Sequence, residues 1–466
     1  MKTLDLKPNS KNLMKTFIED SIGRTADVCS FVKMIQCIEG SCSIGIDGKW
    51  GTGKTFFVKQ SKLVIDSLNP NVPFFESDDA IRVRNIWEGF EKNNEETSQV
   101  PIVTAYYDTW QHDDEEEPLL SLLYEIMKDN YNGFSEEKRK SWSGILASVA
   151  GIICDRDIHT FLEEIKGRDI FADQKQNEDL DLIVERFLQS FLPERGEKLV
   201  IFIDELDRCS PTFAVKLLER IKHYFSCDNI VFVFSINFGE LQNTVKNYYG
   251  GEFDACRYMD RFFDIRMELP PIDMEKYVQG IERYGSKDLK QTVCLEIIRQ
   301  MNMGMREVSR YLQMSKVCAY KYTNASDSGF ERRRFFSHDG GNADLIAYFV
   351  VVPIIMGLKL TDTKQYDEFV LGKDHMWLEK ILTSDALGDW VTSLLLDTNE
   401  TYQKIEGKTQ VSENQKVKDV YEAIFVKSYD HGEYETKVGK AIFEKGLKQK
   451  ILKAVSFVSP YADYTV

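Results

Sequence analysis

A short glycine-rich segment that ends in lysine and threonine has the spacing of a phosphate-binding loop, GxxxxGK[ST]. It consists of Gly48, Lys49, Trp50, Gly51, Thr52, Gly53, Lys54 and Thr55. The glycines let backbone N–H groups surround a phosphate without Cβ clashes. We expect Lys54 to reach the β- and γ-phosphates and the Thr55 hydroxyl to bind Mg²⁺. The segment, with Phe56 after it, therefore predicts a site for ATP and Mg²⁺.

Two carboxylates, Asp204 and Glu205, directly follow the apolar run Leu199–Ile203. A carboxylate at the carboxyl end of a buried strand lies beside the nucleotide in doubly wound sheets. Asp204 would then hold Mg²⁺ directly or through water, and Glu205 would orient and polarise the attacking water. Alternatively, the acidic pair only begins a turn, but its pairing with the loop favours the catalytic interpretation.

Asn237 follows a second apolar run, Ile230–Ile236. Its amide would bridge the attacking water and the γ-phosphate, which makes it a candidate catalytic residue. Equally, Asn-Phe-Gly-Glu resembles a capping box, in which Asn237 caps the next helix. Both roles stay open at this point, and one side chain can serve both.

Strand-like and helical patterns alternate up to about residue 270, which predicts a parallel sheet with helical crossovers. Helical patterns dominate beyond it, with loops near 322–342 and 396–418. The predicted fold class is α/β, a doubly wound P-loop NTPase sheet with an α-helical lid and a helical C-terminal region. The predicted strands are Cys42–Ile46, Ile102–Tyr107, Leu199–Ile203, Ile230–Ile236 and Phe262–Leu269, and Thr55–Leu68 is the helix after the loop.

The domain prediction divides the nucleotide-binding domain into two parts around an insertion. This charged insertion has helical patterns around Trp142–Ile153 and Leu180–Leu192. The predicted boundaries are 1–132 and 196–273 for the two parts of the P-loop NTPase domain, 133–195 for the helical insertion, 274–340 for the lid and 341–466 for the C-terminal domain.

The composition sets limits on the class of protein. The chain has 466 residues, 43% of them apolar, which excludes a disordered or collagen-like chain. A net charge of −16 disfavours a broad nucleic-acid surface, although a local basic groove stays open. The nine cysteines include no CxxC pair, so we expect neither disulfides nor a cysteine-rich zinc site, and a reducing, cytoplasmic location.

Two apolar stretches, Gly144–Cys154 and Leu345–Leu358, bear on membrane insertion. Both are shorter than the roughly 20 residues that a spanning helix needs, and Pro353 interrupts the second. The polar N-terminus lacks the apolar core of a signal peptide. We therefore predict two buried helices in a soluble chain with no membrane contact.

The two nucleotide motifs resemble those of the KAP family of P-loop NTPases, within the STAND/AAA+-like group. Trp50–Thr55 is similar to the family's WGxGKT loop, and Ile203–Cys209 (IDELDRC) is similar to its IDDLDRC signature. The resemblance covers roughly residues 15–360. Further segments that resemble the family are Tyr107–Trp110, Tyr258–Pro270, Met305–Leu312 and Leu345–Gly357.

The resemblance also implies roles for arginines. Arg306 would be a lid arginine that touches the γ-phosphate, or else an arginine in a surface salt bridge. Arg261 lies just before a strand edge, where AAA+-like relatives place an arginine finger, and Arg208 follows the acidic pair. Either could instead pair within the chain, with Asp207 or Asp260, and we favour Arg261 as the finger. The segment Ile22–Arg24 is a candidate for the adenine pocket.

The resemblance implies Mg²⁺-dependent ATP hydrolysis that drives a conformational or assembly switch. KAP relatives are often encoded in bacterial antiviral systems, so we expect a role in antiphage defence, a homo-oligomer and separate effector proteins. One alternative is a nucleotide-dependent scaffold that recruits an effector. Two others are an ATPase stimulated by nucleic acid, which the acidic charge disfavours, and a small-molecule kinase, which shares only the first motif.

Overall fold

The computed structural model describes two compact units, Lys7–Asp273 and a second unit of Met274–Val466 with Met1–Leu6. The residues that it describes are 7–92, 100–130, 142, 180–190, 192–224, 227–281, 289–317, 320–325, 329–334, 341–387, 411–427 and 434–456.

The first unit is built on a sheet of five parallel strands in the order β2-β3-β4-β1-β5. Residues of β3 and β4 are buried without exception, as expected of strands covered on both faces. This confirms the predicted α/β fold with a parallel sheet. The strands are β1 Cys42–Asp47, β2 Ile102–Asp108, β3 Lys198–Asp204, β4 Ile230–Ile236 and β5 Ile265–Glu268.

Helices cover both faces of this sheet. They are α1 Ser10–Ile18, α2 Thr25–Cys37, α3 Lys54–Leu68, α4 Asp78–Lys92, α5 Pro118–Asn130, α6 Leu180–Gln189, α7 Leu192–Arg195, α8 Pro211–Lys222, α9 Phe238–Tyr249 and α10 Ala255–Met259. Short 3-10 turns lie at Pro73–Glu76, Thr109–His112 and Leu206–Arg208. Ile201 and Ile203 pack into the core on one face of the sheet, and Val200 and Phe202 pack into the core on the other.

The polar segment between α3 and β2 contains α4, whose buried face of Ala80, Val83 and Trp87 has the spacing of an amphipathic helix. One local prediction in this unit needs correction. The last strand is shorter than Phe262–Leu269, because the Phe262 N–H donates to the Met259 carbonyl in a helical turn at 3.0 Å. Within the predicted insertion, the helix near 180–192 is confirmed as α6, and residues 143–153 lie outside the described part.

The second unit is mainly helical. Its helices are α11 Met274–Ile281, α12 Leu289–Gln300, α13 Met305–Val317, α14 Gly341–Ile346, α15 Val352–Thr361, α16 Thr363–Val370, α17 Met376–Leu382, α18 Val411–Tyr421 and α19 Leu447–Ser456, with π-helical turns at Ala347–Val351 and Glu422–Val426. Two antiparallel hairpins in this unit were not predicted. In the first, β6 Tyr320–Ala325 pairs with β7 Gly329–Arg334, where a loop was predicted. In the second, β8 Glu435–Val438 pairs with β9 Ala441–Glu444.

The apolar stretch around Pro353 is longer as a helix than the sequence suggested. Gly341–Thr361 is 21 residues long and, by length and composition, could cross a membrane; it is the one such helix in the described ranges. The prediction that it is too short was therefore wrong. However, 67% of its apolar window is buried inside the protein, which is typical of a core helix.

Pro353 does not end this helix because the turn before it is wider. The Val352 N–H donates to the Ala347 carbonyl, five residues back, which makes a π-helical turn. Proline lacks an N–H and its ring clashes with the carbonyl four residues earlier, so a π-turn at this point lets the helix continue.

Candidate functional site

The glycine-rich loop connects β1 to α3, as a phosphate-binding loop requires. Gly51 and Gly53 adopt positive φ angles of 80° and 89°, a region that disfavours residues with a Cβ. A Cβ on Gly48 would lie 3.1 Å from both Lys54 Cγ and Thr52 Oγ1. The glycines at these positions therefore let the backbone take the curved path and leave room for Lys54.

Lys54, the first residue of α3, is buried within the loop. Its ammonium group donates to the carbonyl oxygens of Gly48 and, at 3.4 Å, Lys49. Burial lowers the pKa of Lys54, and the negative charges of Asp207 and Asp204 oppose that decrease. A buried cation next to the first turn of a helix gives this loop the electrostatics that an anionic phosphate needs.

Asp204 ends β3 and lies fully buried beside the loop. The Tyr106 hydroxyl donates to Asp204 Oδ2 at 2.9 Å, and Glu205 N donates to Oδ1 at 3.1 Å. Burial raises the pKa of Asp204, and hydrogen bonding to Thr55 and the charge of Lys54 oppose that rise. The structure therefore brings together Thr55 and Asp204, the two residues predicted to bind Mg²⁺.

Tyr106 is a residue of the site that the sequence did not predict. It lies on β2, one strand away from Asp204, and Lys59 Nζ lies 4.3 Å from the centroid of its ring. Burial and the neighbouring Asp204 raise the pKa of Tyr106, so its hydroxyl stays a donor. The sequence of β2 gave no signal for this contact, because the contact depends on the register of β2 against β3.

The oxygen donors near the loop fit Mg²⁺, a hard cation that prefers oxygen ligands. Besides Thr55 and Asp204, two carboxylate oxygens, Asp108 Oδ1 and Asp207 Oδ1, are buried without a hydrogen-bond partner among the described residues. Such oxygens favour a nearby cation or its bound water. No His, Cys, Asp and Glu cluster that could hold another metal occurs in the described ranges.

Glu205 follows directly in a left-handed backbone conformation, with φ 64° and ψ 19°. Its side chain is mostly buried, and its Oε2 accepts a hydrogen bond from Arg208 Nη1 at 3.0 Å. Burial raises the pKa of Glu205, and Arg208 opposes that rise. Arg208 thus pairs with Glu205, and not with Asp207 as one alternative had it.

The tip of the glycine-rich loop is tied to the turn after Glu205. Trp50 Nε1 donates to Asp207 Oδ2 at 2.6 Å, although the Trp50 side chain is 50% exposed. The Arg208 guanidinium lies 5.5 Å from the ring of Trp110, which is also exposed. Both motifs were predicted, but the bond between them was not, since no sequence spacing encodes it.

Asn237 caps α9: its side chain accepts from the Glu240 N–H at 3.3 Å. It follows β4, which lies between the strand that leads into the loop and the strand that ends in Asp204. The capping role is therefore present, and a contact with the γ-phosphate stays a prediction. Next to it, Asp47 Oδ1 accepts from the Phe238 N–H at 3.0 Å.

Arg24, in the segment predicted to line an adenine pocket, contacts the glycine-rich loop. Its Nη1 donates to the Thr52 carbonyl at 2.8 Å, and its Nε is buried without a partner in the described part of the chain. Burial lowers the pKa of Arg24 to about 10. Gly23 beside it has φ 73°, and a Cβ there would lie 2.3 Å from Asp273 Cβ, so only glycine fits.

Of the other two predicted arginines, Arg261 lies in the first unit and Arg306 in the second. Arg261 is exposed after α10, and no side-chain partner is found for it among the described residues. Asp260 pairs instead with Arg266 at 2.8 Å, so the alternative Arg261–Asp260 pair is wrong. Arg306 is exposed in the first turn of α13, in the second unit.

Comparison with known protein families agrees with these motifs. A sequence model of the KAP family P-loop domain matches residues 27–318, more than half of the chain. No curated protein matches this chain. Among solved structures, the Aeropyrum pernix ORC1 protein in complex with DNA aligns at 12% identity and a TM-score of 0.31, over 94% of this chain and 92% of that one.

Proposed function

Because this chain belongs to the KAP family of P-loop NTPases, we propose that it binds ATP with Mg²⁺ and hydrolyses the γ-phosphate. The observation that carries this proposal is the convergence of Lys54, Thr55, Asp204 and Glu205 at the carboxyl edge of one parallel sheet. The second unit would serve as lid and C-terminal domain, and it begins at residue 274. A cytoplasmic location is proposed because the described cysteines are free thiols.

The reaction would depend on position and charge, with no covalent intermediate. Lys54 and the loop amides hold the phosphates, and Glu205 accepts a proton from the water that attacks in line. Thr55 and Asp204 would hold Mg²⁺, which neutralises the phosphate charge when bound. Phosphate release by the purified chain, with and without Mg²⁺, tests this function, and the Glu205 variant described below tests the assignment of the base.

We propose that hydrolysis is completed between subunits of a homo-oligomer, with Arg261 acting in the neighbour's site. The support is its exposure and its lack of a partner among the described residues, because an arginine supplied to the transferred phosphoryl is worth about 10³–10⁵ in rate. We expect a mixture of Arg261→Ala and Lys54→Ala proteins to regain hydrolysis that neither shows alone. Such a mixture pairs an intact loop with an intact arginine.

The matched control is Arg257→Ala, which removes an exposed arginine from α10 and should leave hydrolysis unchanged. Mass measurement at saturating ATP gives the second readout, with an oligomer expected. A monomer at saturating ATP, together with no regained activity in any mixture, would contradict the proposal and leave Arg306 as the arginine that acts within one subunit.

We propose that this switch acts in antiphage defence and engages a separate effector protein. The support is membership of a family whose relatives are often encoded in antiviral systems. A bacterium that expresses the chain with its neighbouring genes should show at least about a tenfold lower plating efficiency of a susceptible phage, and Lys54→Ala should abolish this protection because it removes a loop cation. Equal plating with both proteins across a phage panel would reject the role in defence.

A further inference from the structure

The 3-10 turn Leu206–Arg208 contacts both nucleotide motifs. Asp207 accepts the indole N–H of Trp50 from the tip of the glycine-rich loop at 2.6 Å. Arg208, the next residue, donates to Glu205 Oε2 at 3.0 Å. Asp207 is only 4% exposed, whereas Trp50 is 50% exposed. One short turn therefore connects the loop tip to the proposed base.

Arg208 has a second neighbour that it could retain if it left Glu205. Its guanidinium lies 5.5 Å from the Trp110 ring, a cation–π distance, and its side chain is 22% exposed. Trp110 belongs to the turn that follows β2 and is 56% exposed. Arg208 can thus leave the carboxylate without losing every favourable contact.

The Arg208–Glu205 pair opposes the chemistry proposed for Glu205. A general base must present a carboxylate oxygen to the attacking water, within hydrogen-bond reach. One of the two oxygens of Glu205 is instead held by a guanidinium, and a nearby cation also makes a carboxylate less basic. In the observed arrangement, Arg208 therefore engages one of the two oxygens that the base could present to water.

For the ATP hydrolysis proposed above, on which this inference rests, we propose that Arg208 is a positioning residue that holds Glu205 in a resting position, and that the Trp50–Asp207 hydrogen bond couples its release to the filling of the phosphate-binding loop. Phosphates that occupy the loop shift its tip, and Trp50 carries that shift to Asp207. The turn then draws Arg208 away from Glu205, which becomes free to accept a proton.

The first test separates KM from kcat in Arg208→Gln. In the wild-type protein, part of the binding free energy of ATP is used to release Arg208 from Glu205. The reason is that only a fraction of the free protein already has Arg208 released. Without Arg208, KM for ATP should fall about fivefold, the scale of a partly exposed ion pair, and kcat should stay within about twofold. Arg208→Lys keeps the positive charge and should retain the wild-type KM. A kcat reduced at least about a hundredfold in Arg208→Gln would overturn the proposal, because Arg208 would then act on the transition state.

The second test addresses the coupling. Trp50→Phe keeps an aromatic ring but loses the N–H that Asp207 accepts, so Arg208 should stay on Glu205 with ATP bound, and kcat should fall about fivefold. Adding Arg208→Gln to Trp50→Phe should then restore kcat. The matched control is Trp377→Phe, which removes an indole N–H bond to Gln365 in the second unit and should leave kcat unchanged. Failure of Arg208→Gln to restore kcat would refute the coupling.

Glu205→Gln, measured in the hydrolysis assay, distinguishes failure of this inference from failure of the proposed function. If Glu205→Gln abolishes hydrolysis, the proposed function stands even where the Arg208 and Trp50 variants contradict the inference. If the wild-type protein releases no phosphate, the function itself fails.

Discussion

Replacement of Lys54 by alanine is expected to weaken ATP binding at least about a hundredfold, or about 3 kcal/mol, because charged hydrogen bonds to two phosphates are lost. Lys54 is buried in the loop and already donates to the Gly48 carbonyl, so its ammonium group is in place before nucleotide arrives. Isothermal titration with a slowly hydrolysed ATP analogue measures the loss directly.

Thermal unfolding provides the control for folding in this variant. At ATP concentrations of about 100 times Kd, the wild-type protein should gain about 2.7 kcal/mol from binding, and Lys54→Ala should gain almost nothing. Lys246→Ala removes one exposed lysine from α9 and should behave as wild type. If Lys54→Ala keeps wild-type affinity, the loop does not bind the phosphates through this residue.

Substitution of Glu205 by glutamine should reduce hydrolysis at least about a hundredfold, while ATP affinity stays within about threefold. Glutamine keeps the shape of the side chain but does not take a proton from water at neutral pH. Single-turnover hydrolysis and nucleotide titration separate the two effects. Glu88→Gln, which removes an exposed carboxylate from α4, serves as the control and should leave both values unchanged.

The wild-type protein should also show an acid limb in hydrolysis that Glu205 determines. Burial raises the pKa of this carboxyl above its ordinary value of 4.5, and the reaction needs the ionised form. Activity should therefore decline as the pH falls through the raised pKa. Wild-type turnover by Glu205→Gln would assign the base to another group and leave Glu205 as a residue of the turn.

The central sheet and the two nucleotide motifs were predictable because each leaves a local pattern in the sequence. Buried parallel strands give continuous apolar runs, and Asp204 and Glu205 follow such a run directly. The glycine positions of the loop follow from the positive φ angles at Gly51 and Gly53. Those features depend on neighbours within a few residues, so spacing alone identifies them.

Contacts that depend on tertiary packing left no such pattern. Tyr106 meets Asp204 because of the register between β2 and β3, and Trp50 meets Asp207 across 157 residues of chain. The helix through Pro353 was also misjudged, because the π-turn that accommodates a proline depends on local backbone geometry that residue composition does not reveal.

The left-handed backbone of Glu205 bears on the balance between stability and activity. A residue with a Cβ is about 1 to 2 kcal/mol less stable than glycine in this conformation. Glycine at position 205 would relieve that strain, but it would also delete the carboxylate that we assign to the reaction and its ion pair with Arg208. Backbone strain thus lies at the carboxylate that we propose as the base, as expected if that carboxylate is kept for activity in preference to maximal stability.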